Sequence, residues 1–79
     1  MLYAKYTNPN AGFDSDKKNC EEYLVPGRKY VVEDIEMGSW HTTVYLRGFN
    51  VPFNSVNLTF YEDDEEYDIF NDPEYNPYI

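Results

Sequence analysis

The clearest hydrophobic pattern in the chain is a strict alternation over residues 40–47. One face of this segment carries Trp40, Thr42, Val44 and Leu46, and the other carries His41, Thr43, Tyr45 and Arg47. Alternation with a period of two is typical of a β-strand that buries one face. The pattern therefore predicts a strand in which Trp40 packs inside together with Val44 and Leu46.

Two earlier segments also have the composition of strands. Residues 2–6 form a short one, and residues 30–36 form a longer one in which the alternation slips by one position. A β-bulge near Glu33 and Asp34 would correct the slip, because the extra residue returns Ile35 to the core face.

The rest of the first 61 residues divides into a final strand and its connections. Residues 56–61 alternate between apolar and polar side chains and predict that strand. Residues 13–25 are polar and irregular, so we expect a long loop with a helical turn near residues 20–23. No segment shows sustained helical periodicity, and Gly and Pro residues separate the strands. The sequence therefore predicts an all-β fold, either a small barrel or a sandwich.

The order of these segments resembles that of an SH3-like barrel. The residues that carry the resemblance are LVPGRKYVVEDIEMGSWHTTVYLRGFNVPFNSVNLTFYED at positions 24–63. They are similar to small proteins of Gram-positive bacteria and their phages that have no assigned function. The resemblance, which covers about half of the chain, implies an SH3-like β-barrel. We predict this barrel over residues 1–61, and an acidic aromatic C-terminal arm over residues 62–79. Fold analogy alone does not assign a ligand to such a barrel.

Charge separates these two parts of the chain. The formal net charge is -9, and residues 62–79 contain eight of the 15 acidic residues and none of the six basic ones. A block of negative charge repels nucleic-acid phosphates and anionic membranes, and it is attracted to basic surfaces. The sequence therefore predicts no direct binding to nucleic acid or to membranes.

Length and cysteine content narrow the class of protein. A chain of 79 residues has room for one small domain with a modest core. Cys20 is the single cysteine and cannot form an intramolecular disulfide, which favours a reducing compartment. No apolar run is long enough to cross a bilayer, and residues 1–6 lack a signal-peptide pattern. We therefore expect a cytoplasmic protein, in the host cytoplasm if a phage encodes it, with its oligomeric state left open.

Residues that could carry catalysis or bind metal are few. Cys20 lies in a predicted loop and His41 in a predicted strand, so the sequence gives no reason to expect a nucleophile–base pair. Asp64, Glu66 and Asp68 have the spacing that opens an EF-hand loop, but Ile69 stands where that motif requires glycine. The sequence predicts no enzyme, no metal site and no cofactor.

The arm interleaves acidic and aromatic side chains. Its predicted partner-binding residues are Asp63, Asp64, Glu65, Glu66, Tyr67, Asp68, Phe70, Asp72, Glu74, Tyr75 and Tyr78. Carboxylates along a rigid segment can imitate a phosphate backbone, while rings provide apolar anchors. We therefore expect the arm to occupy a basic groove on a host protein, most simply a nucleic-acid-binding factor. The corresponding function is a phage or mobile-element inhibitor, with an anti-CRISPR or other anti-defence protein as the concrete case.

Alternatives to this function remain open on sequence grounds. The arm could dock as an acidic motif of another kind, or it could be a disordered solubilising extension. The chain could also be an SH3-like adaptor that binds a peptide or associates with itself. Its contact surface would then be a barrel face that includes Trp40, Tyr45 and Arg47.

Overall fold

The computed structural model describes residues 1–79, which form six β-strands, one α-helix and two short 3-10 helices. The strands are β1 (Leu2–Tyr6), β2 (Lys29–Met37), β3 (Thr42–Leu46), β4 (Phe53–Asn54), β5 (Leu58–Glu62) and β6 (Glu65–Glu66). The α-helix is α1 (Asp14–Tyr23), and the 3-10 helices are Ser55–Asn57 and Ile69–Asn71.

All six strands belong to one antiparallel sheet in the order β4-β3-β2-β1-β5-β6. The long strand β2 pairs with β1 through its first half and with β3 through its second half. Its register with β3 shifts between Val32 and Asp34, which confirms the predicted bulge. Beyond the shift, Ile35 pairs with Val44 and packs against the core. The bulge thus restores the inward alternation of β2.

The core is formed by side chains from the sheet, the helix and the arm. Its buried members are Leu2, Ala4, Tyr6, Cys20, Leu24, Val44, Leu46, Phe53, Leu58, Phe60 and Ile69. A small, mostly β domain with one hydrophobic core confirms the predicted all-β fold class. The narrower assignment to an SH3-like barrel stays a prediction.

The prediction that Trp40 packs inside was wrong, because its side chain is 91% exposed. Strand β3 begins only at Thr42, and a hydrogen bond from the Gly38 N–H to the His41 carbonyl at 3.0 Å closes the loop before it. Trp40 lies at the tip of this loop. The alternation of the strand therefore does not extend to Trp40.

The prediction of a long loop over residues 13–25 was also wrong, since most of it is helix α1. Two acidic residues, Asp14 and Asp16, occupy the first turn, where the helix dipole favours negative charge. The Asp16 carboxylate also accepts a hydrogen bond from the Phe13 N–H at 2.9 Å. Cys20 is the only residue of the helix that is fully buried, so its apolar periodicity is weak.

The last predicted strand begins later than expected. Residues Ser55–Asn57 form a 3-10 turn that leaves Val56 exposed, and β5 starts at Leu58. Asn57 is fully buried, and its side-chain amide donates to the carbonyls of Asn8 and Ala11, each at 2.9 Å.

The first residues of the arm extend the sheet, and the later residues lie outside it. Glu62 ends β5, and β6 pairs with β5 as the outermost strand of the sheet. Further along, Ile69 is 0% exposed and belongs to the core. The arm and residues 1–61 therefore share one hydrophobic core. None of the helices is long and apolar enough to cross a bilayer.

Candidate functional site

The first part of the arm, Glu62–Glu66, is the turn of a β-hairpin and is called the hairpin tip below. Tyr61 pairs with Glu66, and Glu62 pairs with Glu65. Asp63 adopts a left-handed backbone conformation with φ of 56°, which aspartate tolerates better than most residues. The four residues from Asp63 to Glu66 are all exposed. The hairpin thus holds four carboxylates in water on a fixed backbone.

Cations lie beside some of these carboxylates. The Lys29 ammonium contacts Asp64 Oδ1 at 2.9 Å, and this hydrogen bond lowers the pKa of Asp64 and raises that of Lys29. The amino group of Met1 lies 2.5 Å from Glu62 Oε1. Glu65 and Glu66 form no ion pair within the molecule. These two glutamates are therefore the hairpin-tip acids most available to an outside cation.

In the second part of the arm, Tyr67–Ile79, two of the three acidic side chains bind the arm itself, and the third, Glu74, is exposed and forms no ion pair. This part is called the return segment. Asp68 caps the 3-10 helix by accepting from the Phe70 N–H at 3.0 Å and from the Asn71 side chain at 2.6 Å. Asp72 accepts from the Glu74 N–H at 2.9 Å and from the Tyr67 hydroxyl. Two of the predicted partner-binding carboxylates therefore stabilise local structure.

The hydrogen bond between Tyr67 and Asp72 changes the titration of both groups. It raises the pKa of Tyr67 to about 12, because losing the phenol proton would place two negative charges side by side. The same bond, followed by the one from the Glu74 N–H, lowers the pKa of Asp72. At neutral pH the pair is therefore a neutral phenol bound to a carboxylate.

The four aromatic residues predicted as anchors fall into two pairs. Tyr67 and Tyr75 are partly buried and pack against the core. Phe70 and Tyr78 remain exposed, at 46% and 65%. The second pair is thus free to contact another molecule, whereas the first helps to attach the return segment to the sheet.

A residue that the sequence analysis missed connects the two exposed rings. The buried Asn76 side chain donates to the Phe70 carbonyl at 2.7 Å and accepts from the Tyr78 N–H at 2.9 Å. The signal in the sequence is the Asn-Pro pair at positions 76 and 77, since asparagine before proline commonly starts a turn. Asn76 fixes the backbone at both rings.

These rings line a groove that also contains Trp40. The groove has a volume of about 520 Å³, and its walls come from the β2–β3 loop, the 3-10 turn at Val56 and the return segment. Trp40, Val56, Phe70 and Tyr78 contribute apolar surface to it. We call it the aromatic groove. The sequence placed Trp40 and the arm on separate candidate surfaces, and the structure brings them together.

Two smaller clefts adjoin the aromatic groove and carry acidic residues. One shares His41 and Thr42 with it and contains Asp16. The other shares Phe70 with it and contains Glu66 and Asp68. No lysine or arginine lines the groove or either cleft. This surface therefore combines an apolar groove with acidic residues in both adjoining clefts.

Cys20 and His41, the two residues considered for nucleophilic catalysis, lie in different surroundings. Burial raises the pKa of the Cys20 thiol to about 11, the opposite of the shift that activates a cysteine. His41 is exposed in the wall of the aromatic groove. No three His, Cys, Asp or Glu side chains converge in a way that could hold a metal ion.

Comparison with known protein families gives a match over the whole chain. The family model described as "Bacteriophage T4 protein Y07B" matches residues 1–79. No curated protein and no solved structure matches the chain significantly. The match confirms the phage side of the resemblance seen in the sequence, while the Gram-positive host and the SH3-like barrel stay predictions.

Proposed function

The chain belongs to the family of bacteriophage T4 protein Y07B, and from this premise we propose that it is a non-enzymatic inhibitor. It would occupy a basic, nucleic-acid-binding surface of a host protein and so exclude the nucleic acid. An inhibitor of a nucleic-acid-guided defence complex, of the anti-CRISPR kind, is the concrete form of this proposal.

The observation that supports the proposal is that negative charge without neighbouring cations lies on the hydrogen-bonded hairpin of the arm. Residues 62–79 have eight acidic residues and no basic one, and the hairpin tip presents its carboxylates from a hydrogen-bonded turn. Glu65 and Glu66 stand exposed without a cation beside them. Fixed charge loses less entropy on binding than charge on a flexible tail, so a hairpin is the better competitor for a basic surface.

The absence of an activated nucleophile supports a binding role over a catalytic one. A nucleophilic cysteine needs an exposed thiol with a lowered pKa, and Cys20 is buried with a raised one. Inhibition by occupation requires neither a nucleophile nor a metal, only a surface that fits.

The test compares two double charge reversals. Glu65→Lys with Glu66→Lys changes the hairpin tip, and Glu21→Lys with Glu22→Lys changes an exposed acidic pair on helix α1. Both variants alter the net charge equally. Each variant is immobilised and exposed to a lysate of the host bacterium, and the captured proteins are identified by mass spectrometry. A captured protein is then purified, so that its affinity for each variant can be measured. Competition between the variant and nucleic acid for that protein is measured as well. Removing residues 62–79 is a poorer test, because it also removes Ile69 from the core.

We expect the wild type and the helix variant to capture the same nucleic-acid-binding protein and to displace its nucleic acid, and the hairpin variant to lose both effects. Raising the salt from about 50 to about 500 mM should weaken capture steeply, because the Debye length shortens about threefold. A partner held equally by the hairpin variant, or one that still binds its nucleic acid in the complex, would contradict the proposal. Equal capture would favour an adaptor that binds through the barrel face.

A further inference from the structure

We propose that the aromatic groove is a docking site for a segment of a partner protein with an apolar centre and basic flanks. This inference rests on the proposed function and deepens it, because it names the part of the partner that is recognised. The hairpin tip would supply long-range attraction, and the groove would supply the close contact.

The first step is the exposure of large apolar side chains on one surface. Trp40 is the only tryptophan of the chain and is almost fully exposed, and Val56, Phe70 and Tyr78 lie around the same groove. Large apolar side chains that are exposed around one groove are a common feature of interaction sites. Tryptophan and tyrosine are also the residues most enriched among those that dominate binding energy.

The second step is the rigidity of the groove. The hydrogen bond from Gly38 to His41 closes the loop that carries Trp40. On the opposite side, Asn76 holds the backbone at Phe70 and at Tyr78. A surface that is already ordered loses little conformational entropy when a partner binds. These hydrogen bonds order the backbone that carries Trp40, Phe70 and Tyr78.

The third step is charge, which selects the occupant. The two clefts that adjoin the apolar groove carry acidic residues, Asp16 in one and Glu66 with Asp68 in the other, and no lysine or arginine lines the groove or either cleft. Lysine or arginine on both sides of an apolar centre would match this arrangement. A nucleic acid would bring phosphates to the same carboxylates, and a second copy of this chain would bring a net charge of -9. Both are disfavoured by repulsion.

Trp40 provides the readout, since burial of the single tryptophan shifts its fluorescence to shorter wavelength. The probe is a short synthetic peptide without tryptophan, with leucines in the centre and lysines at both ends. Two matched peptides replace either the lysines by glutamate or the leucines by serine. We expect a saturable blue shift with the first peptide and none with the other two. An equal blue shift of Trp40 fluorescence with all three peptides would overturn the proposal.

Two lysine substitutions at similarly exposed valines locate the binding. Val56→Lys introduces a cation into the groove, whereas Val25→Lys introduces one elsewhere on the surface. We expect Val56→Lys to weaken peptide binding by about tenfold or more and Val25→Lys to leave it near the wild-type value. Tyr78→Ala should weaken binding without adding charge. Thermal melts identify any variant that fails to fold, and equal affinity in the folded variants would overturn the proposal.

The groove proposal and the proposed function can fail separately. If the leucine and lysine peptide leaves Trp40 fluorescence unchanged while Glu65→Lys with Glu66→Lys still abolishes host capture, the groove proposal fails and the proposed function stands. If the peptide binds but Glu65→Lys with Glu66→Lys leaves host capture unchanged, the proposed function fails and the groove remains a peptide-binding site. Sedimentation that shows a dimer broken by Val56→Lys would identify a second copy as the occupant, and a Trp40 response to single-stranded DNA would identify nucleic acid; either result overturns the proposal.

Discussion

The hairpin tip and the return segment both carry acidic residues, but these carboxylates have different physical roles. In the hairpin tip, Asp64 meets Lys29 at the surface, and Glu65 and Glu66 face water without a partner. In the return segment, Asp68 and Asp72 accept hydrogen bonds from their own neighbouring backbone. Carboxylates are therefore unpaired surface charges at Glu65 and Glu66, and acceptors of backbone hydrogen bonds at Asp68 and Asp72.

The difference teaches that charge count overstates the binding surface of the arm. A carboxylate that already accepts a backbone N–H is fixed in orientation and has fewer free lone pairs, so it offers less to a partner than an unpaired one. We expect substitutions of the exposed hairpin-tip carboxylates to have little effect on the fold, whereas substitutions of the buried return-segment residues Ile69 and Asn76 should destabilise it. The predictions below separate these two effects, beginning with the largest.

Replacing Ile69 tests whether the return segment belongs to the core. Ile69→Ala should lower the free energy of unfolding by about 2–5 kcal/mol, because it leaves a cavity at a fully buried site. The matched control is Ile79→Ala, in which the side chain is 66% exposed, and a change within about 0.5 kcal/mol is expected there. Urea denaturation followed by circular dichroism measures both. Equal, small effects would mean that the arm is only an appendage of the sheet.

Replacing Asn76 tests the polar part of the same attachment. Asn76→Ala leaves the Phe70 carbonyl and the Tyr78 N–H without their partner, and we expect a loss of about 1–3 kcal/mol. Asn50→Ala is the control, because Asn50 is exposed, and it should leave the unfolding midpoint in place. Hydrogen exchange provides a second measurement, since the Tyr78 amide should lose protection in the Asn76 variant. An unchanged rate at Tyr78 would contradict the role assigned to Asn76.

The elements that could be predicted from sequence are those whose burial follows a simple period. Thr42, Val44 and Leu46 alternate and are buried, and the slip in β2 marks a bulge. The alternation in the sequence includes Trp40, but the hydrogen bond that closes the loop at Gly38 ends the pairing of β2 with β3 before Trp40. Periodicity shows which residues can share a face. Only the extent of strand pairing decides which of them do.

Helix α1 and the aromatic groove depend on contacts that are distant in sequence. The helix buries a single side chain, Cys20, so no repeating apolar face was present to reveal it. The groove joins the β2–β3 loop to the return segment, about thirty residues later in the chain. Its rings were visible as separate features. The return segment, which carries two of these rings, is attached to the core at Ile69.

The smallest expected effect contrasts the two halves of the arm at alkaline pH. The folded-state pKa of Tyr67 is about 12, above the ordinary value of 10 that it regains on unfolding. Its contribution to stability is therefore complete below pH 10 and is lost as the pH rises from 10 towards 12, where the unfolded state releases the proton first. Lys29, beside the hairpin tip, also has a raised pKa, so its contribution disappears over an overlapping alkaline range.

Salt and two substitutions distinguish these alkaline contributions. Tyr67→Phe should reduce the fall in unfolding free energy between pH 10 and 12 at both low and high salt, because a direct hydrogen bond is little affected by screening. Lys29→Gln should reduce it only at low salt, because the Lys29 and Asp64 side chains form an ion pair at the surface. Urea titrations at several pH values measure the difference, with Tyr78→Phe, at an exposed ring, as the control. If salt cancels the effect of Tyr67→Phe as well, the Tyr67 and Asp72 pair behaves as a screened surface contact, and the contrast between the hairpin tip and the return segment disappears.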